Sequence, residues 1–171
     1  TPKELLKPFL ESEHNSKVIL SYHNFTDTPE EIEHLYDLMC GMPADILKIV
    51  TYARDINNNL SLFNLIHRSK KDGKKLIALC MGEKGEVSRI LSPLLGAFLT
   101  FGSLETGKET APGQITGTSL RDIYRVCDKR DSFKIFGVIG NPVYKSMGYL
   151  IHNRAFKEAG STDIYVPFLV D

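Results

Sequence analysis

Between residues 17 and 102, short apolar runs alternate with amphipathic stretches: KVILSYH, PEEIEHLYDLM, ILKIVTYA, LSLFNLIHRSKK, KKLIALCMG, EVSRILSPLL and FLTFG. Runs of this length read as strands and the stretches between them as helices. For the first helix Thr28 is an N-cap, Pro29 suits the first helical position, and Glu31 completes a capping box. Ile32, Leu35, Tyr36 and Met39 then fall on one face. Asn59 ahead of Leu62, Leu65 and Ile66 signals a second helix closed by Asp72 and Gly73. Pro93 interrupts the third. Ser119 with Asp122 opens a fourth, whose stripe is Leu120, Ile123, Tyr124 and Cys127. The opening TPKELLKPFL reads as the interior of a helix, which implies residues upstream.

The strands are apolar on both faces, as in parallel sheets covered by helices, so the class is α/β with right-handed crossovers. An open doubly wound sheet and a barrel both satisfy this pattern. Four strand-helix units precede residue 130, whereas a (β/α)8 barrel takes eight strands and roughly 250 residues, so a barrel reading implies that half is missing. DKRDSF, residues 128–133, is polar and aperiodic and reads as a linker. After it the pattern restarts with KIFGVIGNP as a strand and turn, YLIHNRAFKEAG as a helix ended by Gly160, and DIYVPFLVD as a strand.

Composition changes the picture only by exclusion. Lys plus Arg equals Asp plus Glu at 21 each among 171 residues, which removes the electrostatic footprint of a nucleic-acid or anionic-lipid binder. The apolar stretch from Leu91 to Gly102 is broken by polar residues and too short for a bilayer, so no membrane segment is expected. Cys40, Cys80 and Cys127 are odd in number and widely spaced, which fits reduced core thiols and a reducing compartment. No metal-ligand spacing is present among the histidines.

Candidate chemistry is concentrated in a few positions. Lys48 sits among Ile46, Leu47, Ile49 and Val50, where dehydration would lower an ammonium pKa and free the amine for attack on a carbonyl. A strand lysine snorkelling to water is the alternative. His23 ends KVILSYH, at the strand end where parallel sheets place their sites, and is either a general base or a turn-capping histidine. Arg89 follows GEKG and is either a carboxylate clamp or a solvated helix residue.

Taken together, YHNF, ILKIV, CMGEKGEVSR and TAPGQIT resemble, in order and spacing, the type I 3-dehydroquinate dehydratase family over roughly residues 5–127. The resemblance implies the second half of a (β/α)8 TIM barrel, residues 1–127, with His23 as general acid/base and Lys48 as the imine-forming lysine. It implies substrate contacts from Arg89, Thr110, Gln114 and Met81, with Thr110 standing where many members have serine. No cofactor is implied for this half. The family's early-strand acidic and arginine residues are not in this sequence.

From Phe136, FGVIGNPVYKSMGYLIHNRAF resembles the opening of shikimate dehydrogenase, matching at Gly140, Asn141, Pro142, Ser146, His152 and Asn153. Gly148 and Tyr149 depart from the usual motif, which leaves Ser146 alone as the implied shikimate contact. Residues 134–171 would then be the start of an α/β substrate-binding domain, with the NADP(H) site and catalytic residues downstream of Asp171. The implied partners are small molecules, 3-dehydroquinate and 3-dehydroshikimate or shikimate. Such fusions occur in plants and bacteria; KSMG and YHNF resemble the bacterial form, which implies a cytoplasmic protein, with a plastid as the alternative. Two other readings share these features: a non-catalytic quinate-pathway repressor built from the same two domains, and an unrelated Schiff-base aldolase barrel.

Overall fold

The computed structural model describes residues 16–128 and 130–171; the expected helix at TPKELLKPFL lies outside them. Three parallel strands, β1 (Ile19–His23), β2 (Ile46–Tyr52) and β3 (Leu76–Met81), form one sheet in that order. Helices α1 (Ile32–Cys40) and α2 (Asn58–Lys71) make the crossovers. Strand periodicity sorts the side chains. Leu47, Ile49, Ala53, Leu76, Ala78 and Cys80 face the helices and pack on Tyr36, Met39, Leu62, Leu65 and Ile66. Ile46, Val50, Ile77, Leu79 and Met81 form a second cluster on the opposite face. β1 is not apolar on both faces: Leu20 and Tyr22 pack toward the helices, while Ile19, Ser21 and His23 are exposed.

Several expected boundaries move, each for a local reason. Thr28 does not cap α1; its hydroxyl is 2.8 Å from that of Thr51 and donates to Tyr52 O at 3.1 Å, so the strand takes it. Asn59 lies inside α2, after Asn57 at the N-cap, and its buried amide donates to Ile56 O and Lys84 O. Helix α3 (Glu86–Leu95) runs through Pro93. Proline cannot donate to Arg89 O one turn back, and the Thr100 hydroxyl supplies that bond instead at 2.9 Å.

FLTFG is not a fourth strand. Phe98 N donates to Leu76 O at 2.7 Å, after which the backbone leaves the β3 edge, Thr100 turns to α3, and a single bridge joins Ser103 to Thr116. The expected fourth helix is one widened turn, Ser119–Ile123, ended by Arg125 at φ 50°. Leu120, Tyr124 and, past the turn, Val126 are buried, whereas Cys127 is exposed. Of the cysteines expected in cores, Cys80 is buried and Cys40 is half-buried.

The remaining residues form a parallel pair, β4 (Ile135–Gly140) and β5 (Ile164–Leu169), joined by helix α4 (Gly148–Glu158). Gly160 ends this helix at φ 67°, as expected. Ile164 and Val166 of β5 pack against Val87, Ile90 and Leu91 of α3 in a shared core. Arg130 donates to Tyr124 O, Arg125 O and Thr162 O, tying residues 124 and 125 to the turn before β5. Among the described residues no helix is long and apolar enough to cross a membrane.

Candidate active site

Register fixes two of the candidate residues. Lys48 is level with Ser21 on β1 and Ile77 on β3, and His23 is level with Val50, one side-chain step further toward the strand ends. His23, Lys48 and Met81 therefore project from the sheet face opposite α1 and α2. Ile46, Val50, Ile77, Leu79 and Met81 surround Lys48 on that face, with Leu99 and Ala111 packed against them.

The electrostatics follow from this placement. Burial lowers the Lys48 amine below its ordinary value, and the Arg89 guanidinium lowers it further. The His23 imidazole is lowered first by lost hydration and then by the Lys48 charge. Its ring stacks on Phe25 with centroids 5.9 Å apart.

Arg89 rises from α3 and is 2% exposed. Its Nη2 donates to Pro112 O at 3.3 Å, and its Nε is buried without a partner. A guanidinium has five donors and no acceptor, so this buried cation has donor capacity to spare. Glu86, one turn earlier, is pushed up by burial against the pull of Arg89.

The TAPGQIT loop is fitted to the end of β3 by glycines. Gly82 N donates to Pro112 O at 3.1 Å. A Cβ on Gly113, at φ 70°, would lie 2.1 Å from Gly82 O, so no side chain fits. Gly85 is held as tightly, since a Cβ there would lie 2.7 Å from the Cys80 carbonyl. Ala111 reaches the Lys48 face, whereas Thr110 and Gln114 bond to each other: Gln114 Oε1 accepts from Thr110 N at 2.7 Å and from Thr110 Oγ1 at 3.2 Å.

The structure thus groups His23, Lys48, Arg89 and Met81, and brings Pro112 of the loop to Arg89. Ser146 stands apart. Its hydroxyl accepts from Gly148 N at 3.2 Å beside α4, and among the described residues no hydrogen bond or ion pair joins it to the group on the sheet. Two cavities among the described residues lie elsewhere: one of about 300 Å³ between α3 and the β4-β5 unit, and an open hollow of about 770 Å³ bordered by Arg54, Lys84 and Asp171. Neither is lined by His23, Lys48 or Arg89. Within the group Arg89 and Met81 are buried, Lys48 is half-buried and His23 is exposed, so the group opens to solvent on the β1 side of the sheet.

Sequence reasoning missed Phe101, whose ring centroid is 4.4 Å from Lys48 Nζ. The available signal was alternation in FLTFG, which puts Leu99 and Phe101 on one side.

The sequence profile described as Type I 3-dehydroquinase matches residues 1–131. The bifunctional 3-dehydroquinate dehydratase/shikimate dehydrogenase of Arabidopsis thaliana chloroplasts is 41% identical over 157 residues, 91% of this chain and 26% of that protein. A 3-dehydroquinate dehydratase of Dehalococcoides mccartyi is 44% identical over 112 residues, 64% of this chain and 50% of that protein. Among solved structures, the dehydroquinate dehydratase and shikimate dehydrogenase from S. pombe AroM has a TM-score of 0.53 at 29% identity, over 91% of this chain and 29% of that one. The chain spans half or less of the length of each of these relatives.

Proposed function

The chain belongs to the type I 3-dehydroquinase family, and on that premise we propose that it carries the imine-forming half of a dehydratase site acting on 3-dehydroquinate. The observation that carries the reading is Lys48 on an apolar sheet face, its amine pKa lowered, with His23 and the under-partnered Arg89 beside it. In this mechanism the neutral Lys48 amine adds to the C3 ketone and water leaves, giving an iminium. The iminium accepts the electron pair released when neutral His23 takes the C2 proton. The pair then returns to expel the C1 hydroxyl, which His23 protonates so that it departs as water. Hydrolysis of the imine frees 3-dehydroshikimate and restores the amine. Arg89 pairs with the substrate carboxylate, Met81 packs against the ring, and Gln114 and Thr110 exchange their mutual bonds for bonds to substrate hydroxyls.

Residues 1–127 supply the last part of a (β/α)8 barrel, residues 128–133 the junction, and residues 134–171 the start of a shikimate dehydrogenase substrate domain. Its Ser146 contacts the shikimate carboxylate, and NADP(H) binds beyond Asp171. The Gly140-Asn141-Pro142 turn lacks the glycine run with which a backbone approaches a pyrophosphate, so these residues do not themselves hold the dinucleotide. The relatives' organisms fit either a bacterial cytoplasm or a chloroplast.

The test is turnover by the full-length protein that completes the barrel. Dehydration of 3-dehydroquinate, followed by the absorbance of the conjugated product, is expected in the wild type and absent in Lys48→Ala. Undiminished turnover in Lys48→Ala would overturn the reading.

A further inference from the structure

Among the described residues, the one favourable polar contact of the Lys48 ammonium is the face of Phe101, 4.4 Å from Nζ to the ring centroid. The ring is 37% exposed, so close packing is not what fixes it. The backbone on either side does. Thr100 Oγ1 donates to the Arg89 carbonyl that Pro93 leaves free, at 2.9 Å. Ser103 N donates to Ile115 O and Gly117 N to Ser103 O, both at 2.8 Å. Between them, Gly102 passes so close to Gly117 that an added Cβ would lie 2.8 Å from its nitrogen. A four-residue arch is therefore pinned at both ends with one aromatic ring over the lysine.

We propose that Phe101 is a positioning residue for Lys48, holding the ammonium at the point from which it meets the substrate ketone. A ring face attracts a cation and offers little to a neutral amine. The contact therefore does two things: it fixes the end of a long, rotamer-rich side chain, and it favours the protonated form. Burial and Arg89 act in the opposite direction on the same amine. Among the described residues Arg89 is the charged group that bears on Lys48, and His23 is the titratable group that Lys48 bears on; the full-length barrel adds those of its early strands. The proposal rests on the imine reading of Lys48.

The two effects separate experimentally in the full-length protein. Cyanate carbamoylates only the unprotonated amine, so its rate on the Lys48 peptide, read by mass spectrometry against pH, reports the proton. Borohydride trapping with 3-dehydroquinate reports position. In Phe101→Leu the cyanate profile should move about half to one pH unit lower, making Lys48 roughly 3- to 10-fold faster near neutrality. Trapping should fall roughly tenfold because the amine is misplaced. Phe101→Tyr should leave both unchanged. If Phe101→Leu does not fold, Phe101→pentafluorophenylalanine keeps the shape and reverses the ring's charge distribution, and the same downward movement is expected. An unmoved cyanate profile overturns the proposal while trapping on Lys48 keeps the imine reading intact. Absence of trapping in the wild type overturns the imine reading instead, whatever cyanate shows.

Discussion

Lys48 and His23 stand on one face of adjacent parallel strands, with Lys48 level with Ser21 and His23 two residues nearer the strand ends. The lysine charge depresses the imidazole after lost hydration has already done so. His23 is thereby kept neutral near pH 7, the state a general base requires. Replacing Lys48 with Met should raise the His23 pKa toward its ordinary 6.5, measured by NMR titration of the imidazole. A value that stays put or falls would show that the two do not interact.

The same shift has a sign for stability. The folded-state value lies below the unfolded one, so as pH falls the unfolded chain binds this proton first. Stability should begin to drop near 6.5 and continue falling through the folded value. Denaturant midpoints taken between pH 8 and pH 5 should show a loss that is smaller in His23→Asn, to the extent that His23 contributes it.

Arg89 is 2% exposed with an unpartnered Nε. Replacing an under-satisfied buried charge by an apolar side chain of similar length is often neutral or stabilising. Arg89→Met should therefore melt at or above the wild-type temperature. KM for 3-dehydroquinate in the full-length enzyme should rise about 10- to 100-fold, the worth of a charge-assisted pair. A destabilised variant with unchanged KM would make Arg89 a structural residue.

Gly113 combines φ 70° with a carbonyl 2.1 Å from where its Cβ would sit. Gly113→Ala should lower stability by about 2 kcal/mol or more, since positive φ alone costs an L-residue roughly 1–2 kcal/mol and the loop must also leave Gly82. Thermal melts measure the loss, and unchanged melting would mean that the loop has room elsewhere.

Much of the helix-strand order was legible because burial imposes periodicity: β1, β2, β3, α1 and α2 follow the apolar runs that announce them. Failures came where one side chain had two uses. Thr28 reads as a cap, yet its hydroxyl satisfies Tyr52 O across the sheet. FLTFG carries a strand composition, but Thr100 answers the acceptor created by Pro93, a contact that no local pattern encodes. His23, Lys48 and Arg89 were legible from motif resemblance, whereas Phe101 over Lys48 depends on how a loop folds back.

The most direct test of the account is covalent. Full-length protein incubated with 3-dehydroquinate and borohydride should gain the mass of one reduced ligand on the peptide containing ILKIV, at Lys48. Lys48→Ala should gain none. His23→Ala should still be labelled while turning over roughly 10² to 10⁴ more slowly, the usual contribution of a positioned acid/base. Label on a different lysine, or full turnover in Lys48→Ala, would contradict the assignment of Lys48 as the imine-forming residue.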